Sequence, residues 1–278
     1  MVPYVYTPLP DNHIRLLTLF PSLPTDDIVI TLQLSRLRQD AYEALSYVWG
    51  SQENPRSAYS DENRLSTISV TQNLDEALRH LRYTDRPRIM WIDTICINQF
   101  DHVEKGKQVA MMGNIYRDAD RVVVWLGPEQ DESGLTWSMT VLEGAVNATW
   151  VDDGAMLPFD IKDIVAIYNL LSRQWFTRLW IRREIYLARD TASVKCGKQD
   201  IPWSDLGNAM VALFRTRHPI NDREDDWEAL RKSLRGFVSQ NRKLGLRDLQ
   251  SDFELALCED PRDRLYEVLH EKLRLLTS

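Results

Sequence analysis

An α/β fold built on an open parallel sheet, followed by a mostly helical second half, is what this sequence of 278 residues predicts. Two observations carry that expectation. Through the first half, short apolar runs with strand character alternate with stretches whose apolar residues recur at helical spacing. From about residue 134 onward the helical spacing dominates, with one pair of short strand-like runs between the helices.

The elements follow in order. "HIRLLTLF" and "DIVITLQL" flank the proline-bounded "PSLPTD" and predict a β-hairpin ahead of the main domain. "YEALSYVW" is the next strand. "GSQENPRSAYSDENRLST" is polar and aperiodic, so it reads as a long loop, and its length makes it a candidate functional loop. "TISVT" is a short strand. In "NLDEALRHL", Leu74, Ala77, Leu78 and Leu81 form a core-facing stripe, with Asn73 as N-cap and Glu76 completing a capping box. "RIMWIDTIC" is apolar enough for a strand buried on both faces. "HVEKGKQVAMMGNIYRDAD" carries Val109, Met112, Tyr116 and Ala119 at helical spacing and leads into the β-branched strand "RVVVWLG". Strand, helix, strand, helix, strand in that order predicts right-handed crossovers and parallel pairing.

Beyond this point helices are expected at roughly 134–149, 160–173, 177–188, 203–216, 225–235, 246–257 and 261–275. The strands "ASVKCG" and "QDIPW" interrupt them. The final helix has Asp260 as N-cap and Pro261 in its first position.

Composition narrows the function. Arginine and lysine number 34 against 41 acidic residues, a net charge of −7 with the two signs interspersed, which argues against a nucleic-acid partner. The three cysteines, Cys96, Cys196 and Cys258, are far apart and odd in number, so a reducing, cytoplasmic setting is expected. No apolar run approaches the roughly 20 residues that cross a bilayer, and the start of the chain lacks a secretory signal pattern. There is no glycine-rich phosphate loop, no Gly-x-Ser-x-Gly elbow and no His/Cys spacing suited to a metal, so neither a metal nor a bound cofactor is expected.

What remains is convergence at strand ends. In an open parallel sheet, ligands bind beyond the carboxyl ends of the strands, where the strand order switches. One such end carries Ser46, Tyr47, Trp49 and Gly50; another carries Asp93, Cys96, Asn98 and Gln99. If the two strands are neighbours, both sets share a crevice. Taken alone, Asp93 and Asn98 read first as caps of the turn after their strand, which is the usual role of such residues. In "QWFTRLWIRREIYLA", with Thr177 as N-cap, Trp180 and Glu184 share a helix face. A carboxylate held against an indole is partly desolvated, which raises its pKa toward the range of acid/base chemistry. A salt bridge from Glu184 to Arg178 or Arg117 is the structural alternative.

Three stretches, "YEALSYVWG", "MWIDTICINQFDHVEKGKQVAMMGNIYRDADRVVVWLG" and "WFTRLWIRREIYLA", together resemble the three blocks of the fungal heterokaryon-incompatibility domain, over about residues 42–188. "CEDPRDRLYEVL" is similar to a segment that often follows this domain. Two positions depart from the family pattern: Val48 stands where cysteine is common, and Arg183 where glutamine usually precedes the third-block glutamate.

The resemblance implies a TIR/flavodoxin-like α/β domain over 41–200, preceded by the hairpin extension of 1–40 and followed by a helical extension over 201–278. It implies a role in fungal non-self recognition and programmed cell death. By distant likeness to enzymatic TIR domains it implies NAD+ as substrate and Glu184 as the catalytic carboxylate. Ser46, Tyr47, Trp49, Gly50, Asp93, Asn98 and Trp180 then line the binding site. Self-association or a protein partner in incompatibility signalling is the non-enzymatic alternative, and nucleotide binding without turnover is a third.

Overall fold

A computed structural model of the chain describes residues 1–128, 161–177 and 191–215. The chain divides into two compact units, Met1–Glu129 with Arg183–Pro202, and Gln130–Arg182 with Trp203–Ser278.

The first unit is organised around a seven-stranded sheet. Its strands are β2 (His13–Leu19), β3 (Ile30–Arg36), β4 (Glu43–Tyr47), β7 (Arg88–Trp91), β8 (Arg121–Trp125), β9 (Ser193–Cys196) and β10 (Gln199–Pro202), in spatial order β10-β9-β8-β4-β7-β2-β3. The four strands β9, β8, β4 and β7 are mutually parallel. Antiparallel hairpins close both sides, β2–β3 beyond β7 and β10 beyond β9. The sheet is therefore mixed rather than purely parallel. The N-terminal hairpin forms as predicted, in a seven-pair register from His13↔Arg36 to Leu19↔Ile30, and its strand β2 joins the central sheet through Leu17↔Met90.

Three shorter strands make a second sheet: β1 (Val2–Pro3), β5 (Arg56–Tyr59) and β6 (Ser66–Val70). Strand β5 lies inside the stretch that the sequence marks as loop, which corrects that expectation. Only Ala58 of its four residues is buried, so no alternation announces it. Asp61 folds the following turn, accepting from the amides of Leu65 and Ser66 and from the Ser66 hydroxyl.

Helix α1 (Gln72–Leu81) buries Leu74, Ala77, Leu78 and Leu81, the predicted stripe. Its N-cap is Thr71, whose hydroxyl accepts from the Leu74 amide at 3.2 Å, not Asn73. The buried apolar stripe is unaffected by where the helix starts, but Asn73 is released from capping. Helix α2 (Asp93–Cys96) is one turn where a continuing strand is expected. Helix α3 (His102–Asp118) starts at Asp101, whose carboxylate accepts from the amides of Val103 and Glu104. Its buried residues include Glu104 and Gln108 beside Ile115 and Tyr116, whereas the predicted Val109 and Met112 are half-buried.

Residues paired in register share a sheet face. Trp125 and its partner Tyr47 lie on the face covered by α1, where the His80 ring stands 5.0 Å from the Trp125 ring. Trp91 and its partner Ala44 lie on the other face, where Tyr116 of α3 meets Trp91 edge-on at 5.6 Å. The two helices thus cover opposite faces. Strand β4 has β7 on one side and β8 on the other, so the chain reverses its direction of travel across the sheet at β4.

In the second unit, α4 (Ile161–Leu171) buries Ala166, Ile167, Leu170 and Leu171. A 3-10 turn, Gln174–Thr177, sets Trp175 edge-on to Phe176 at 5.1 Å and to Trp203, the first residue of α5 (Trp203–Arg215), at 5.9 Å. The helices expected at 134–149, 177–188, 225–235, 246–257 and 261–275 lie outside the described residues. Among the described residues no helix is long and apolar enough to cross a membrane.

Candidate functional site at the strand switch

β4 and β7 are parallel neighbours, so Tyr47 and Trp91 end on the same edge of the sheet and the segments after them meet there. The contact is direct. The Trp49 indole Nε1–H donates to Asp93 Oδ2 at 2.9 Å. The other carboxylate oxygen of Asp93 accepts the Thr94 amide at 2.8 Å, within the first turn of α2. Asp93 therefore serves as a turn residue and as an anchor for the indole at once. With its N–H engaged, Trp49 has its ring plane left for contact with a planar ligand.

Tyr47 and Thr94 add a second link across the same strand pair, their hydroxyl oxygens 2.5 Å apart. Tyr47 is 2% exposed and Ser46 1%, so both side chains are enclosed in the core beneath the edge. Trp49, Asp93 and Asn98 are half-buried, and Gly50 is exposed. Asn98 shapes the turn into α3: its Oδ1 accepts the Phe100 amide at 3.2 Å, and its own amide donates to Glu104 Oε1 at 2.7 Å. Gln99 Nε2 donates to the Asp93 carbonyl at 3.0 Å, while Gln99 Oε1 is buried with no hydrogen-bond partner. An orphaned acceptor of this kind costs about 1–3 kcal/mol, and here it lies beside the indole–carboxylate pair. Cys96, also from this segment, is fully buried, and burial pushes its thiol up to about 12, so it is no nucleophile.

Asn73, released from capping α1, holds the edge from beneath. Its Nδ2 donates to the Val48 carbonyl at 2.5 Å and its Oδ1 accepts from the Trp125 indole at 3.3 Å. One side chain thereby ties the ends of β4 and β8. Gly50 sits directly over it, in the left-handed region at φ +76°, and a Cβ there would lie 3.3 Å from the Asn73 Cβ. Gly50→Ala is therefore expected to destabilise by about 1–2 kcal/mol, read as a lower urea midpoint. An unchanged midpoint would show that the turn re-forms without strain.

Of the residues expected to form the site, Ser46, Tyr47, Trp49, Gly50, Asp93 and Asn98 come from segments brought together at this edge. Trp180 and Glu184 lie outside the described residues. Asn73 and Thr94 complete the arrangement. Asn73 was hidden because residue type alone ranks Asn above Thr as an N-cap, whereas Thr71 caps the helix.

The fold and site define an α/β protein with its candidate site at the carboxyl edge of a sheet, where the strand order switches. The model for the heterokaryon incompatibility protein family (HET) matches residues 42–184, just over half of the chain, and the chain belongs to that family. A curated relative, heterokaryon incompatibility protein 6, OR allele, of Neurospora crassa, is 33% identical over 223 residues, 66% of this chain. The chain spans about a third of the length of that relative, 33%. No solved structure matches it.

Proposed function

We propose that this chain acts in heterokaryon incompatibility as a TIR-like NAD+ glycohydrolase of fungal non-self recognition and cell death. The observation that supports this reading most is the Trp49–Asp93 hydrogen bond, which joins the first and second sequence blocks at the carboxyl edge of β4 and β7. The order β7-β4-β8-β9 of the parallel strands supports it too, since it matches the flavodoxin-like order in which the first strand is flanked by the second and third.

In this reading NAD+ lies along the edge formed by Trp49, Gly50, Asp93 and Asn98, above the enclosed Ser46 and Tyr47. The indole face of Trp49 packs on a planar base. Glu184 is assigned the catalytic role, that of a carboxylate stabilising the positive charge that develops as the bond from ribose C1′ to the nicotinamide nitrogen breaks. The bonding electrons leave with nicotinamide, water adds at C1′, and ADP-ribose and a proton are released.

The direct test is chromatography of NAD+ incubated with concentrated protein. Release of nicotinamide and ADP-ribose supports the proposal. Complete recovery of NAD+, with the protein shown folded and clustered, removes it.

A signalling module that acts by assembly is the second reading, favoured by Phe100 and Val103, which are 92% and 71% exposed at the start of α3. Under it, Phe100→Ser abolishes self-association measured by light scattering, whereas substitutions at Trp49 leave association intact.

A further inference from the structure

A second cluster of polar groups lies on the α1 face of the main sheet, away from Trp49 and Asp93. Arg88, Glu43 and Arg121 are the first residues of β7, β4 and β8, at the opposite, amino edge. Glu43 pairs in register with Arg121 and Met90, and Trp125 with Lys195, while Asp200 pairs with Lys195 across the last hairpin. Since residues two apart share a face, Arg88, Glu43, Arg121, Ser193, Lys195 and Asp200 all project on the side that carries Trp125.

The charges on this face do not balance. Glu43 accepts from Arg88 Nε and, at 3.0 and 2.6 Å, from Nε and Nη2 of Arg121, so one carboxylate serves two guanidinium groups. Lys195 Nζ stands 4.0 Å from Asp200, an ion pair too long for a hydrogen bond. Burial lowers the Lys195 pKa and Asp200 raises it, while Arg88 and Arg121 lower it again. Close by, the guanidinium groups of Arg86 and Arg88 lie 4.4 and 5.1 Å from the ring centre of Tyr83. Three cations, Arg88, Arg121 and Lys195, thus face two carboxylates in a chain whose net charge is −7.

An independent observation points to a ligand. Ser193 lies two residues before Lys195 on the same face; it is 7% exposed, and its hydroxyl is buried with no hydrogen-bond partner. A buried hydroxyl beside an excess of positive charge is matched by an anion that accepts from both, and tetrahedral phosphate oxygens do so.

We propose that this face binds a phosphate-class anion, held by Lys195, Arg121 and the Ser193 hydroxyl with Arg88 behind them. The site runs along the α1 face from the amino ends of β4 and β8 to Lys195, which pairs with Trp125 at the end of β8, and it does not depend on NAD+ turnover. It gives the chain a place where a phosphorylated metabolite or a lipid headgroup bears on the α1 face of the sheet.

The test uses the full chain at constant ionic strength, with inorganic pyrophosphate by calorimetry and phosphatidic acid in phosphatidylcholine vesicles by co-sedimentation. The two arms separate a free anion from a headgroup. Binding in either arm is expected to weaken about tenfold or more in Lys195→Met and several-fold in Ser193→Ala. Ser193→Ala removes one oxygen without creating a charge, so it reports even if Lys195→Met folds poorly. Absence of binding in both arms, or binding that survives both substitutions, overturns the proposal.

Discussion

Arg15→Met is expected to destabilise the first unit by about 3–5 kcal/mol, because it leaves a buried carboxylate without its cation. Arg15 is 1% exposed and Glu104 8%, and the pair is joined twice, Nη1 to Oε1 at 2.5 Å and Nη2 to Oε2 at 2.9 Å. The same guanidinium group donates to the carbonyls of Cys96 and Thr7 and stacks 4.9 Å from the ring centre of Tyr6. Glu104 in turn accepts the Asn98 amide. One ion pair thus fixes β2, the N-terminal segment, the end of α2 and the start of α3, all of which lie behind the Asp93 turn. Urea denaturation measures the loss. The double variant Arg15→Met/Glu104→Leu is expected to recover part of it, since an apolar pair needs no compensation for desolvation.

The pair also sets a pH dependence. Burial pushes the Glu104 pKa up, but the Arg15 hydrogen bond, the Asn98 amide and the Arg15 charge together hold it below the ordinary value. A depressed folded-state pKa contributes stability that is present above the unfolded-state value of about 4.3 and lost as the pH falls through the folded value. The wild-type urea midpoint should therefore fall between about pH 5 and pH 3, and Arg15→Met should show less of that fall. Equal slopes for the two proteins would refute the linkage.

Under the proposed NAD+ hydrolysis, Glu184→Ala is expected to lower nicotinamide release by about 100- to 1000-fold, the usual cost of removing one group that stabilises transition-state charge. The loss should appear in kcat with little change in KM, because ground-state NAD+ carries no developing charge on C1′ for the carboxylate to meet. Trp49→Phe keeps an aromatic face but gives up the hydrogen bond to Asp93, so it should act mainly on KM. A Glu184→Ala protein that turns over NAD+ at the wild-type rate ends the assignment of this residue, whatever becomes of the NAD+ proposal.

The strands β2, β4 and β8 and the α1 stripe were legible because each buries its own apolar residues, so that the pattern of burial follows the pattern of the sequence. The features that escaped are those in which burial depends on distant partners. Glu104 and Gln108 line the buried face of α3, where Arg15 and the His13 carbonyl pair with the Glu104 carboxylate and Gln108 Nε2 from 89 and 95 residues away. Local periodicity cannot foresee that. The turn of α2 looked like more strand because Ile92, Ile95 and Cys96 are all buried, and four residues are too few to tell period 2 from period 3.6. At the site, Trp49 and Asp93 were legible because each follows a strand, and neighbouring parallel strands bring their ends together. Asn73 was not, since its role rests on which of two nearby polar residues, Thr71 or Asn73, caps the helix.

The join between β8 and β9 has a consequence for how this protein is made and handled. These strands pair in parallel, yet Trp125 and Ser193 are separated by the whole of residues 126–192. During synthesis, the sheet stays one hairpin short until that long excursion has left the ribosome. Until then Val122, Val123, Val124 and Trp125 form an open, β-branched margin able to recruit another chain. A fragment cut at residue 184, where the family match ends, lacks β9 and β10 altogether and makes that margin permanent. The smallest piece that seals the sheet extends to Pro202.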